Sequence, residues 1–206
     1  MGRSQKLTPP SGYKLSTFDQ AYQDMRGFEG GYSNHPKDAG GKTMSGVTQD
    51  TYNGYLAKKG LPPKDVRSIS EDETYDLYKT LFWDSNSLDD LPPRIARALF
   101  DFTLNTPYGV APKEFQRIVG ASPDGKIGPK TILATGEFIH EMGEDELLNS
   151  IAGARKQRIE AVSQPVFKKG LRNRTDALTA KLLASQSASQ SYQDTTPPPR
   201  TGKYTP

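Results

Sequence analysis

STFDQAYQDMRGFEGGYSNHPKDAGGKTMSGVT, residues 16–48, contains the change of pattern that decides the fold. Ser16 reads as an N-cap, with Asp19 three residues on in a weak capping-box arrangement. Phe18, Tyr22, Met25 and Glu29 recur at i, i+4, i+7 and i+11, one stripe of a helix. Gly30-Gly31 is expected to stop it. From residue 30 to 47 the chain carries five glycines, one proline and few apolar side chains. Such a stretch cannot be helical and reads as short strands and tight turns, a small hairpin.

Beyond it, nearly everything reads as helix. Thr48 caps a segment through Lys59, closed by Gly60 and Pro62-Pro63. Ser70 with Glu73 makes a capping box for a helix to about Trp83. Pro92-Pro93 opens a helix carrying Ile95, Leu99 and Phe102. A short helix with Phe115, Ile118 and Val119 ends at Gly120. The turn SPDGKIGPKT, 122–131, feeds a helix with Pro129 near its first position. Two basic helices occupy roughly 144–163 and 170–186. The expected fold is mainly α, a helical bundle with one small glycine-rich β-hairpin.

Composition narrows the chemistry. In 206 residues there is no cysteine and there are two histidines. This excludes disulfides, thiol nucleophiles and cysteine zinc sites, and leaves almost nothing for a histidine metal site. His140-Glu141 lacks the second histidine of a zincin motif and reads as a helix end. No metal or cofactor is expected, so any reaction must use carboxylates, hydroxyls and amides. The opening MGRSQKLTPPSGYK has no apolar signal core and no run approaches a membrane span. The expectation is a soluble chain made in the cytoplasm, without membrane insertion, that something else delivers to any target outside. Between Arg155 and Lys181 stand eight basic residues against Glu160 and Asp176. They read as a solvated helical face or as attraction to an anionic polymer such as a cell wall. No nucleic-acid-binding motif accompanies them.

Eleven residues along a helix place Glu29 only about 20° from Phe18 around the axis. A carboxyl at the end of an apolar stripe faces the core, where burial favours the protonated form that a general acid needs. Asp38, in a polar hairpin, should stay ionised, and Thr43 and Ser45 offer hydroxyls. Two carboxyl groups in contrasting settings suit glycoside hydrolysis. The plainer alternative makes Glu29 a helix-terminal carboxylate capping nearby amides. Asp101 and Asn105 sit one turn apart beside the Ile95, Leu99 and Phe102 stripe. They read either as cleft groups bonding a sugar or, for Asp101, as a buried structural hydrogen-bonder. Trp83 reads as core more readily than as a sugar platform, whereas Tyr32 and Tyr108, flanked by loop residues, suit stacking on sugar rings.

Several ordered motifs then combine. Glu29-Gly30-Gly31, Pro36-x-Asp38-x-Gly40-Gly41-x-Thr43 and Gly46-Val47-Thr48 resemble the signature of glycoside hydrolase family 108. So do Phe82-Trp83-Asp84, Leu91-Pro92, Phe100-Asp101 with Asn105, Phe115-Gln116, and Asp124-Gly125-x-Ile127-Gly128-Pro129-x-Thr131. The last is similar to the peptidoglycan-binding region of that family, and Gly170 to Arg174 resembles its terminal Gly-Trp-x-x-Arg element. The resemblance covers roughly residues 18–180. It implies a lysozyme-like fold and cleavage of the β-1,4 bond between N-acetylmuramic acid and N-acetylglucosamine. Glu29 takes the place of the catalytic glutamate, with Asp38 and Thr43 as its partners. Leu171 stands where the family usually has tryptophan, and Val47 replaces the common isoleucine.

The organisation this implies is an arm at 1–15, a lysozyme-like catalytic region at 16–109, a helical peptidoglycan-binding-like region at 110–184 and a tail at 185–206. The tail has no Leu, Ile, Val, Phe or Met, so it cannot fold alone. The expected partner is the glycan strand of peptidoglycan, with other phage virion proteins of tail or baseplate meeting the two terminal segments. The place of action is the periplasm or cell wall, reached inside a virion or, as a free endolysin, through a holin. The rival readings are a lytic transglycosylase and a non-catalytic virion protein that keeps the lysozyme fold.

Overall fold

A computed structural model describes residues 15–27, 43–44 and 46–185. Among them are eight helices and one two-stranded antiparallel hairpin, the mainly helical fold expected. Helix α1 (Thr17–Arg26) precedes β1 (Thr43–Met44) and β2 (Val47–Thr48). There follow α2 (Gln49–Lys58), α3 (Glu71–Tyr78), α4 (Pro93–Leu104), α5 (Val110–Ile118), α6 (Pro129–Met142), α7 (Glu144–Val162) and α8 (Pro165–Ala184).

Local chemistry sets the helix starts. Ser16 and Asp19 form a complete capping box on α1, and Ser70 and Glu73 form another on α3. Accepting the Ser70 N–H holds the Glu73 carboxyl below its ordinary pKa, against the opposing effect of burial. Thr48 caps α2 by accepting from the Thr51 N–H. Pro93, Pro129 and Pro165 open their helices, where a missing N–H costs nothing.

Two boundaries differ from the sequence reading. Helix α1 ends at Arg26 with Gly27 as its C-cap, before Gly30-Gly31. Within the described residues the apolar stripe runs through Phe18, Tyr22 and Met25; residue 29 lies outside them. Glycine is the poorest helix former after proline, and Gly27 takes the terminating place. Helix α8 begins at Pro165, not near 170, and Gly170 lies in its interior with open space where a Cβ would stand. Burial of Leu178 and Leu182 outweighs the glycine cost of roughly 1 kcal/mol.

Helix α3 passes into a π-helical segment, Lys79–Trp83. Trp83 is fully buried, its ring centroid 5.3 Å from Phe18 and 5.6 Å from Phe100. It belongs to the core and offers no face to a sugar.

Helix α4 is the hub. Ile95, Leu99, Phe100 and Phe102 are buried in a hydrophobic cluster that runs from Phe18 on α1 to Leu182 on α8. The polar residues of α4 reach outward to other helices. Arg97 donates to Asp24 of α1 at 2.7 and 2.9 Å, and Lys181 of α8 donates to the same carboxylate at 2.6 Å. Arg94 pairs with Glu144 and Asp145 in the first turn of α7, each at 2.7 Å. Gln116 of α5 stitches the following turn, accepting from the Gly125 N–H at 2.7 Å and donating to Asp124 at 2.8 Å.

Candidate active site

The hairpin and the C-terminal end of α4 share a cavity of about 260 Å³. Gly46, Val47 and Thr48 of the hairpin line it with Thr51 from the first turn of α2. Leu104 and Asn105 come from the end of α4, Tyr78 and Phe82 from α3 and its π segment, and Arg174 from α8. Tyr78 and Phe82 stand four residues apart, so the end of α3 and the π segment present them together while Trp83 turns into the core. Such π segments recur at functional sites.

Thr43 pairs directly with Thr48 in the hairpin register. Opposed residues of an antiparallel pair project to the same side, so Thr43 shares the side of a cavity-lining residue. Asn105 is exposed and lines the cavity. Tyr108, in the turn after α4, is 84% exposed. Glu29, Tyr32 and Asp38 lie outside the described residues, as does Ser45.

Asp101 occupies a different setting. It is 2% exposed, with one carboxylate oxygen accepting from Arg155 of α7 and the other accepting from Arg174 of α8 at 2.6 and 2.9 Å. This is the geometry of a buried structural anchor and does not support direct contact between Asp101 and a sugar. Arg155 is itself 4% exposed; its burial pushes the guanidinium pKa down while the Asp101 charge opposes the shift. Its second limb donates to Asn105 Oδ1 at 2.9 Å. A chain of charge-assisted hydrogen bonds thus ties α7 and α8 to the cavity rim.

The basic helices are largely self-neutralised. Of their eight cations, Arg155 and Arg174 hold Asp101, Lys156 pairs with Asp176, Lys168 and Arg172 with Glu160, and Lys181 with Asp24. Arg155 and Arg174 are buried, and the other four, more exposed, pair with acids, so the face is charge-compensated more than openly polycationic.

Thr48, Thr51, Tyr78, Phe82 and Arg174 are cavity residues that the sequence did not single out as a site. Their neighbours on α4 carried a signal: Arg97, Asp101 and the C-cap Asn105 recur at i, i+4 and i+8, a polar stripe along one side of the helix.

Comparison with known proteins bears on these residues. The model of the family described as Glycosyl hydrolase 108 matches residues 22–107, which takes in the hairpin, Asp101 and Asn105. The solved structure of Brucella abortus SagA is similar to this chain at 30% identity and a TM-score of 0.73, over 84% of this chain and 98% of that one. The chain belongs to the glycosyl hydrolase 108 family. No curated protein matches it. Family 108 enzymes are lysozyme-like peptidoglycan hydrolases, and the likeness to SagA reaches past residue 107 into the C-terminal helices. Leu171, which departs from the family 108 pattern, is half-buried on α8 three residues before Arg174. Among the described residues no cluster of acidic or histidine side chains could hold a metal ion, and no helix is long and apolar enough to cross a membrane.

Proposed function

We propose that the chain is an N-acetylmuramidase that hydrolyses the β-1,4 bond between N-acetylmuramic acid and N-acetylglucosamine in peptidoglycan. The observation that carries this reading is membership of family 108 combined with a cavity built from the hairpin and the end of α4. Glu29 donates its proton to the glycosidic oxygen as positive charge develops on the muramic ring. Asp38 stabilises that charge or activates water, and Thr43 orients the water. Tyr32 and Tyr108 offer stacking faces, and Asn105 a polar contact. Water supplies the oxygen at the cleaved carbon, and its remaining proton restores the acid.

In this proposal the enzyme acts at the cell wall. Carriage in a phage particle was suggested by the terminal segments, which lie outside the described residues apart from Leu15 and Ser185, and the chemistry does not depend on it.

Digestion of purified peptidoglycan followed by reduction and mass spectrometry tests the reading. The expected products carry reducible N-acetylmuramic acid ends. Anhydro ends, lighter by one water, would assign a transglycosylase instead, and reducible N-acetylglucosamine ends would place the cut at the other bond.

A further inference from the structure

We infer that Arg155 is a positioning residue for the glycan, acting through Asn105; the inference rests on the muramidase reading above. An asparagine amide presents an acceptor at one end and donors at the other, and turning it over exchanges them. Behind Asn105 stands a guanidinium, which can only donate. Arg155 is 4% exposed and held on Asp101, so it cannot swing aside to suit a turned amide. Asn105 therefore keeps Oδ1 toward Arg155, at 2.9 Å.

The end left to the cavity is the amide nitrogen, whose hydrogens have no acceptor among the described residues. The rim thus offers a donor fixed in direction, matched to a neutral oxygen acceptor on the glycan, either an N-acetyl carbonyl or a hydroxyl. Arg174, held on the same carboxylate, lines the same cavity. One buried aspartate on α4 consequently sets two polar elements of the cavity rim, through residues 54 and 73 positions away in sequence.

The test is kcat and KM on soluble, un-cross-linked peptidoglycan strands for wild type, Asn105→Ala, Asn105→Asp and Arg155→Lys. Asn105→Asp keeps Arg155 partnered, and so keeps the fold, but puts an acceptor where the donor was. Both Asn105 variants are expected to raise KM about three- to tenfold with kcat nearly unchanged, as loss of one uniform hydrogen bond predicts. Arg155→Lys keeps the charge on Asp101 but loses the fork, and should raise KM alike. In an Asn105→Ala background it should add nothing, because its effect passes through that amide. Arg155→Gln replaces it in the cycle if the lysine variant does not fold.

Unchanged KM in both Asn105 variants overturns the inference, as does an Arg155 effect that multiplies the Asn105→Ala effect. Activity of the wild type keeps the two readings apart. An active wild type with indifferent Asn105 variants sinks only the positioning role, whereas a wild type that releases no fragments sinks the muramidase reading and this inference with it.

Discussion

Glu29→Gln is expected to cut the rate of peptidoglycan clearing by about 10³-fold or more while the chain stays folded. A sugar oxygen leaves poorly as an alkoxide, so the bond breaks only when a proton arrives as the electrons depart. Glutamine keeps the size and hydrogen-bonding capacity of glutamate but has no proton of the needed acidity. The loss corresponds to about 4 kcal/mol of transition-state stabilisation or more. Turbidity decay of purified peptidoglycan, alongside circular dichroism of the variant, reads both halves of the prediction. Residual activity within tenfold of wild type would move the acid to another residue.

The next largest effect is expected on stability. Asp101→Ala removes the carboxylate shared by Arg155 and Arg174, which are 4% and 9% exposed. Arg155 would then be buried without its counter-charge, and Arg174 would lose one of its partners. Breaking one side of a buried pair costs about 3–5 kcal/mol, a large share of the 5–15 kcal/mol that holds a typical domain. For a chain of this size the melting temperature should fall by roughly 10 °C. Replacement of the whole cluster by apolar residues of similar volume should cost far less, because no unpaired charge remains. A change in Asp101→Ala of less than about 1 kcal/mol in denaturant unfolding would show that water or a neighbouring acid already neutralises the two arginines.

Helix starts were legible because caps are local. Ser16, Thr48, Ser70, Pro93 and Pro129 act within four residues of their own position. The end of α1 was misjudged because one glycine, Gly27, sufficed where a pair further on was the stronger signal. The start of α8 was misjudged in the opposite sense. Gly170 looked like a boundary, yet packing of side chains one to three turns later carries the helix through it. Trp83 was legible as core from its position on an apolar helix face. The Asp101 cluster was not, because its partners lie on other helices and no periodicity reports a contact of that span. The basic run on α7 and α8 shows the same limit. Its residues read as a surface feature, and their acidic partners include Asp24 and Asp101, far away in sequence. Two of the family motifs fall on the hairpin and on the end of α4, which share a cavity.

The central claim is that a proton held by Glu29 is delivered to a glycosidic oxygen in that cavity. The most direct measurement is a crystal structure of Glu29→Gln bound to a tetrasaccharide of alternating N-acetylglucosamine and N-acetylmuramic acid. The account predicts the sugar seated against Thr48, Asn105 and Arg174, with the side chain at position 29 within hydrogen-bond reach of the scissile oxygen. A sugar bound elsewhere, or a residue 29 pointing into bulk water away from it, would contradict the account.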